Sequence, residues 1–498
     1  MKLSRLLEGL EILGMDGDPE VEVGPVVYDS RKAEPGCLFA ALRGVKADGA
    51  AFIKPAVDKG AAAVLYEKYK GERPAGVTFV KVADARLTMA LVASAFYGRP
   101  SEKLKLAGIT GTNGKTTTSY LIKAVLESAG SGVGLLGTIS YRVGDKVLPA
   151  PNTTPESVDL QSYLAGMVDA GAAYAVLEVS SHSLSMKRVA GCEFKVKVFT
   201  NFTQDHLDFH GSMEEYYGAK KMLFTDYGGT NVINLDDPKS GDLVAAARGP
   251  VITYGINMAA DVSARDVELG SGGLTFTLAA AGRETRMRSG LVGRHNVYNI
   301  LAAAGTCIAL GISPDAVSDG ISNMAGVPGR FEKVDAGQGF AVLVDYAHTE
   351  DALERAISAA REFTTGRLIT LFGCGGDRDR TKRPKMGRLA SMMSDVVVLT
   401  SDNPRTEDPL SIMAGVEAGI KEDGSKKKGE GYFAVADRGD AIRFAVGLAK
   451  AGDTVLLAGK GHEDYQIIGD TKYHFDDRET ARDAILAYAG RNTSPTKA

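Results

Sequence analysis

Short apolar runs recur along the chain, each followed by a stretch whose apolar residues fall at helical spacing. Residues 62–66, 174–178, 196–200, 341–345, 368–372, 396–400 and 454–458 read as buried strands. Residues 118–129, with Tyr120, Leu121, Ala124 and Val125 in register, read as a helix. This alternation predicts an α/β fold with mainly parallel sheets. The N-terminal MKLSRLLEGLEIL carries Glu8 and Glu11 among leucines at helical spacing, which predicts a packed amphipathic helix rather than a signal peptide. Tyr97-Gly98-Arg99-Pro100 and the turn Ala325-Gly326-Val327-Pro328-Gly329-Arg330 break the pattern. They predict domains at 1–103, 104–328 and 329–488, with 489–498 as a frayed tail. There is no internal repeat.

Composition narrows the class. Hydrophobic residues make up 44% of the 498 positions and charged residues 24%, the balance of a soluble globular protein. The net charge of −4 supplies no basic field for nucleic acid or an anionic membrane. Lys426-Lys427-Lys428 lies among acidic residues and glycines and reads as a solvated loop. No apolar run approaches the ~20 residues that span a bilayer. Cys37, Cys192, Cys307 and Cys374 are scattered without paired spacing, so neither a zinc site nor a disulfide framework is indicated and a reducing cytoplasm is the expected setting. Cys374 lies in a glycine-rich turn and reads as a small buried residue.

The most informative segment is Gly111-Thr112-Asn113-Gly114-Lys115-Thr116-Thr117, between an apolar run ending at Thr110 and the helix that follows. A glycine-rich turn there aims backbone N–H groups at one point, and the helix dipole adds positive charge, so a phosphate binds. Lys115 can reach the outer phosphates, and the Thr116 hydroxyl can ligate Mg²⁺. ATP or GTP is the expected ligand. The general phosphate-loop pattern places a glycine where Ile109 stands; Gly108 and Gly111 flank it.

Other polar clusters fall at strand ends, where open α/β sheets bind ligands. Glu178-Val179-Ser180-Ser181-His182 ends one strand; Glu178 suits a phosphate-bound Mg²⁺, or is simply a charge leaving the sheet. Thr200 to His210 holds two of the seven histidines, and His206 is a candidate metal ligand. Asn296 and Asn299 stand three apart, so they share a helical face and can read a base or hold a phosphate; capping by Asn is the alternative. Arg330-Phe331-Glu332 and Asp345-Tyr346-Ala347-His348 form a further pair. Gly373 to Arg380, Ser401-Asp402-Asn403-Pro404-Arg405 and Gly459-Lys460-Gly461-His462-Glu463 follow three more strands. They suggest one pocket for a small zwitterion, with Arg for its carboxylate and Glu for its ammonium.

The order GTNGKTT, EVSSH, DHLDFHG, HNVYN, GRFE and DYAH resembles the Mur ligases of bacterial cell-wall synthesis, across essentially the whole chain. Within that family, Tyr28-Asp29-Ser30-Arg31 and Asp402-Asn403-Pro404-Arg405 look like the member that adds the third amino acid. The resemblance implies three domains: a smaller N-terminal α/β domain that binds the UDP substrate, a central ATP-binding parallel sheet, and a Rossmann-like C-terminal domain that binds an amino acid. It implies an ATP-dependent acid–amino-acid ligase. ATP would phosphorylate the D-glutamate γ-carboxylate of UDP-N-acetylmuramoyl-L-alanyl-D-glutamate, and the amino group of meso-2,6-diaminopimelate would attack the acyl phosphate. The enzyme would be cytoplasmic and monomeric, with no nucleic-acid partner and no membrane insertion.

The resemblance also assigns residues. Gly111, Thr112, Asn113, Gly114, Lys115, Thr116 and Thr117 would hold ATP, with Asn296 and Asn299 contacting the nucleotide. Thr116 and Glu178 would hold one Mg²⁺ and His206 a second. Lys220 matches a lysine that CO₂ carbamylates, although from the residues alone Lys220 and Lys221 are equivalent. Arg330 and Asp345 would complete the ATP site as the third domain closes on the second. Ser30, Val45, Lys46 and Ala47 match a uridine-diphosphate pocket. Asn152, Thr153, Thr154, Ser180 and Arg188 match muramoyl-peptide contacts, and Met186 stands where a glutamine is common. Arg378, Asp402, Asn403, Pro404, Arg405, Gly459 and Glu463 match the acceptor pocket. Arg405 would read the distal carboxylate, which diaminopimelate has and lysine lacks. Competing readings are the same ligase adding L-lysine, a folylpolyglutamate-synthetase-like ligase, and a phosphate-loop switch or motor, which would need no acceptor pocket.

Overall fold

The computed structural model describes residues 1–44, 48–270 and 272–492. The chain divides into two compact units, Met1–Ser263 with Leu301–Gly320, and Ala264–Ile300 with the residues from Ile321 onward.

The first unit holds two sheets. The N-terminal sheet has the order Gly14–Asp16, Thr78–Lys81, Ala63–Tyr66, Leu38–Ala40, Val26–Val27, parallel except for its first pair. Leu38, Ala40, Leu65 and Val80 face one core with Leu3, Leu6 and Met89; Phe39, Val64 and Phe79 face another with Ile53. Burial on both faces explains why these strands read as continuous apolar runs. In the larger sheet, Val133–Leu136, Tyr174–Glu178, Lys105–Thr110, Val196–Phe199, Thr230–Asn234 and Val251–Gly255 lie side by side and parallel. Ser140–Val143 and Lys146–Pro149 extend it antiparallel. Lys105–Thr110 is flanked by Tyr174–Glu178 on one side and Val196–Phe199 on the other, so three carboxyl ends open at one place.

The second unit contains a sheet ordered Glu332–Lys333, Ala341–Asp345, Thr454–Ala458, Leu368–Phe372, Val396–Leu399, Tyr432–Ala434, parallel after its first pair. Side chains alternate faces. Leu343, Leu456, Phe372 and Leu399 pack with the helices Glu350–Arg361, Lys382–Met393 and Pro409–Asp423. Val342, Leu371, Val398 and Leu457 pack with Arg438–Leu448 and Asp477–Asn492. A separate hairpin pairs Tyr465–Ile468 with Thr471–His474.

The expected α/β architecture is present, and the strands at 174–178, 341–345, 368–372 and 454–458 match residue for residue. Three expectations are corrected. The N-terminal helix is a single turn, Leu3–Leu6. Gly9 at φ +76° ends it, and the backbone of Leu13 donates to Lys81 O at the sheet edge. The helix expected from Thr118 starts at Lys115, because Gly114 at φ +85° is its N-cap and the phosphate loop feeds straight into its first turn. The segment from residue 489, expected as a tail, continues the helix Asp477–Asn492. Asn296 and Asn299 lie inside the helix Arg294–Ala309, on one face of it. Cys374 is buried, as expected. Among the described residues no helix is long and apolar enough to cross a membrane.

Candidate active site

Gly111, at φ +148°, is where the phosphate loop must be glycine: a Cβ would lie 1.9 Å from Thr200 Oγ1. The close approach lets the loop lock onto the end of the neighbouring strand. Thr112 N donates to Asn201 O (2.8 Å), Asn113 N to Asn201 Oδ1 (2.9 Å), and Thr200 Oγ1 to Asn113 O (2.6 Å). Thr203 N donates to Thr112 Oγ1 (3.0 Å), which also lies 3.2 Å from the Tyr216 hydroxyl. Ile109 departs from the general pattern because it is still inside the strand, paired with Glu178 and Val198. Lys115 Nζ donates to Gly111 O (2.9 Å) and Thr112 O (2.8 Å), folded back over the loop.

Thr116 and Thr117 are buried in the first helical turn. Thr116 Oγ1 donates to Glu178 Oε2 (3.1 Å), and the fully buried Glu178 also accepts from Thr138 N (3.1 Å) and Thr138 Oγ1 (2.9 Å). Carboxylate and hydroxyl oxygens converging in a closed recess form a hard-oxygen donor set suited to Mg²⁺. Thr138 was not found from sequence; its loop carries no motif, and only the fold brings it to Glu178. Among the described residues no group of three or more His, Cys, Asp or Glu is placed to hold a metal ion.

Lys220 and Lys221 diverge. Lys220 is 1% exposed, donates to Gly111 O (2.7 Å), and sits 4.5 Å over the Tyr216 ring. Burial, helped by the charge of Lys115 and opposed by Asp205, pushes its amine well below the usual lysine range. Lys221 turns outward to Asp242 at 2.8 Å. His206, at φ +51°, is 3.5 Å from Asp205 Oδ2, and its ring lies 4.8 Å from that of His182. His182 is pushed down to about 4 by burial, with His206 and His210 adding to the effect. His210 is buried against Ser181 Oγ (2.9 Å).

The segment expected to hold the muramoyl peptide wraps around Arg188. Its Nη1 donates to Thr154 O (3.0 Å), and its Nε lies 2.9 Å from Glu156. Thr154 Oγ1 donates to Glu178 O (2.7 Å) and accepts from Ser180 N (3.1 Å), while Ser180 caps the helix Ser181–Ser185. Thr153 and Thr138 hydroxyls lie 3.1 Å apart, and Asn152 O accepts from Tyr141. Met186 places its sulfur 3.5 Å from Arg188 Nη2. Ser30 opens the short helix Ser30–Lys32, and its carbonyl accepts from Lys59 Nζ (2.9 Å). Val45, Lys46 and Ala47 lie outside the described residues.

In the second unit, Asn296 and Asn299 share one helix face: Asn299 Nδ2 donates to Asn296 Oδ1 (2.9 Å), and Asn296 Nδ2 donates to Val292 O (2.7 Å), a carbonyl two residues ahead of the helix Arg294–Ala309. The Arg330 guanidinium lies 4.9 Å from the Tyr346 ring centre. Asp345 accepts from Phe331 N (2.9 Å), and burial pushes its carboxyl up to about 6 against the opposing charge of Arg330.

The three strand ends expected to share a pocket do meet. Asn403 Nδ2 donates to Glu463 Oε2 (3.0 Å). Arg405, at φ +51°, donates from Nη1 to Gly376 O (2.7 Å), and its N donates to Ile467 O (3.1 Å) on the hairpin. Gly376 must lack a side chain, since a Cβ would lie 1.9 Å from Pro404 O. Arg378 is exposed and donates to Asp377 O (3.1 Å), with Gly375 between it and Arg405. A Cβ on Gly459 would meet Asp402 Oδ2 at 3.1 Å.

Two buried cations behind this pocket were not recognised from sequence. Lys460 is 0% exposed and reaches Asn403 Oδ1 (3.0 Å) and Tyr465 O (2.6 Å). Its position directly after an apolar strand was the available signal. Arg438 makes a two-pronged pair with Asp477 (2.7 and 2.6 Å) and donates to Ser401 O and Ala458 O, tying two strand ends together. No local signal joins residues so far apart.

Comparison with known proteins agrees with this geometry. Residues 22–97 match the catalytic domain of the Mur ligase family, 109–307 the Mur ligase middle domain, and 329–461 the Mur ligase glutamate ligase domain. A UDP-N-acetylmuramoyl-L-alanyl-D-glutamate–2,6-diaminopimelate ligase of Geobacter metallireducens is 49% identical over 96% of this chain and 97% of its own. The ligase of the same name from Geobacillus thermodenitrificans is 46% identical over 97% and 99%. A solved structure carrying that name superimposes with a TM-score of 0.72 at 34% identity, covering 98% of this chain and 99% of the other. Three domain matches in order, and near-complete coverage by close relatives, establish that this chain belongs to the Mur ligase family.

Proposed function

We propose that this protein is an ATP-dependent ligase that joins meso-2,6-diaminopimelate to the D-glutamate γ-carboxylate of UDP-N-acetylmuramoyl-L-alanyl-D-glutamate, in cytoplasmic cell-wall precursor synthesis. The observation that carries this reading is the 49% identity, over nearly the full length, to a ligase whose name states both substrates. In this reading the protein is a monomer whose domains divide near residues 103 and 328.

The chain's own groups support each step. Backbone N–H groups of the loop 111–117 and the Lys115 ammonium offset the charge of the phosphates of ATP as the γ-carboxylate attacks. Thr116 and Glu178 would hold Mg²⁺, which supplies further charge stabilisation of the transferring phosphoryl group. Lys220 as a free amine does not suit a second Mg²⁺. An amine kept neutral by burial can add CO₂, forming an N–C bond and releasing a proton, and the resulting carbamate oxygens beside His206 would suit it. Arg188, braced by Glu156 and Thr154 O, would orient the peptide carboxylates. Asn296, Asn299, Arg330 and Asp345 are assigned to the nucleotide, and Ser30 with Val45, Lys46 and Ala47 to the uridine diphosphate, on the family resemblance.

Glu463 and Asn403 would hold the amino-acid end of the acceptor. Arg405 would pair its fork with the distal carboxylate, which lysine lacks; losing that partner leaves a half-buried charge unmatched. The test is phosphate release and tripeptide formation from ATP and the UDP-dipeptide with meso-diaminopimelate, L-lysine or no acceptor. Product only with meso-diaminopimelate is expected. Equal turnover with L-lysine would remove the role given to Arg405, and acceptor-independent hydrolysis would favour the switch reading.

A further inference from the structure

Lys460 lies at the centre of the acceptor cluster without being one of the residues the family resemblance assigned to the substrate. Its ammonium is enclosed by four oxygens: Tyr465 O at 2.6 Å, Asn403 Oδ1 at 3.0 Å, Asp402 Oδ1 at 3.4 Å and Glu463 Oε2 at 3.5 Å. It comes from the strand Thr454–Ala458, while Asp402 and Asn403 follow Val396–Leu399 and Tyr465 opens the hairpin. One cation therefore joins three chain segments.

Its effect on Asn403 is specific. An amide side chain has an acceptor end and a donor end of nearly equal shape, and its neighbours decide which way round it sits. Asn403 Oδ1 receives both the Lys460 ammonium and the Ile467 backbone N–H (2.9 Å), neither of which can accept. The donor end is thereby forced toward Glu463, where Nδ2 sits 3.0 Å from Oε2. Asp402 Oδ1 is buried and, among the described residues, has no hydrogen-bond partner; the Lys460 ammonium lies 3.4 Å from it, and the buried Arg438 also acts on Asp402 through its charge. Two carboxylates and one ammonium leave the cluster one negative charge in excess, which an acceptor's ammonium would offset.

We infer that Lys460 is a positioning residue for the amino-acid acceptor: its buried ammonium fixes the orientation of Asn403 and holds Asp402 and Glu463 together, so that the pocket presents one set of donors and acceptors to the incoming zwitterion. The inference rests on the proposed function, and it acts through Asn403 and Glu463 rather than by touching the substrate.

The experiment measures initial rates of tripeptide formation by the full-length enzyme, varying meso-diaminopimelate, ATP and the UDP-dipeptide in turn. Lys460→Met is expected to raise KM for meso-diaminopimelate about tenfold or more while the other two KM values stay within about twofold. Lys460→Arg, which keeps the charge but moves its donors, is expected to show a smaller rise of the same selectivity, and it carries the test alone if Lys460→Met does not fold. Asn403→Ala combined with Lys460→Met is expected to be no worse than the poorer single variant, since both act on one amide. Unchanged KM for meso-diaminopimelate, equal changes in all three KM values, or additive effects in the double variant would overturn the inference. A wild-type enzyme that makes no product from any diamino acid would instead overturn the function reading on which it rests.

Discussion

The phosphate-loop region and the acceptor region each bury a lysine almost completely, and they treat it in opposite ways. Lys220, 1% exposed, meets one carbonyl oxygen, that of Gly111, and an aromatic face. Its charged form is desolvated with little in return, and Lys115 nearby makes it worse. Lys460, 0% exposed, meets two carboxylates, an amide oxygen and a carbonyl. The first surrounding favours the neutral amine, the form that reacts with an electrophile. The second yields a fixed cation that organises a pocket. Burial depth alone does not tell a reactive lysine from a structural one; the count of anionic oxygens around the nitrogen does.

The largest effect of this difference is expected at Lys220. Lys220→Met should lower kcat by about a hundred- to a thousandfold, the scale of removing one electrostatic group from an active site. Because a neutral buried amine is exchanged for an apolar side chain of similar size, thermal stability should not fall. A variant that melts well below wild type would show that Lys220 is held as a cation. Lys460→Met should do the reverse in a melting experiment, costing about 3 kcal/mol because Asp402 and Glu463 lose their shared counter-charge. Unchanged stability would mean that the carboxylates do not depend on it.

A smaller effect tests how the acceptor pocket uses its charges. Arg405→Lys should lower kcat/KM for meso-diaminopimelate by about thirtyfold, or about 2 kcal/mol, since an ammonium cannot reproduce the guanidinium fork. L-lysine, tested in parallel, should remain without product, and product from L-lysine with the wild type would contradict the role of Arg405. Smallest of all is a pH effect at Asp345. Its folded-state value of about 6 lies above the ordinary 3.8, so the native state binds the extra proton between those values. The stability it contributes is fully present below about pH 4 and is lost as pH rises through about 6. Asp345→Asn should flatten the melting-temperature profile across that window, and an unaltered slope would contradict the assignment.

Much of this was legible in the sequence because it is local. A buried parallel strand is an unbroken apolar run, and the polar residues just beyond it mark the ligand-binding edge, which is how Glu178, Asp345, Asn403 and Glu463 stood out. The phosphate loop was legible because Gly111 and Gly114 adopt backbone angles that other residues avoid. What stayed hidden depends on which way a side chain turns. Nothing local separates Lys220 from Lys221 on one helix, and only the fold sends one to Gly111 and the other to Asp242. Lys460 sits between two glycines and looks like an ordinary loop lysine. The N-terminal segment has the spacing of a helix, yet Gly9 and pairing at the sheet edge override it after one turn.

The most direct test of the contrast between the two lysines is ¹³C NMR of the full-length enzyme equilibrated with ¹³C-bicarbonate, for wild type, Lys220→Met and Lys460→Arg. The account predicts a protein-bound carbamate signal in wild type, its loss in Lys220→Met and its persistence in Lys460→Arg. A signal that survives Lys220→Met, or a wild-type enzyme that is active without one, would contradict it.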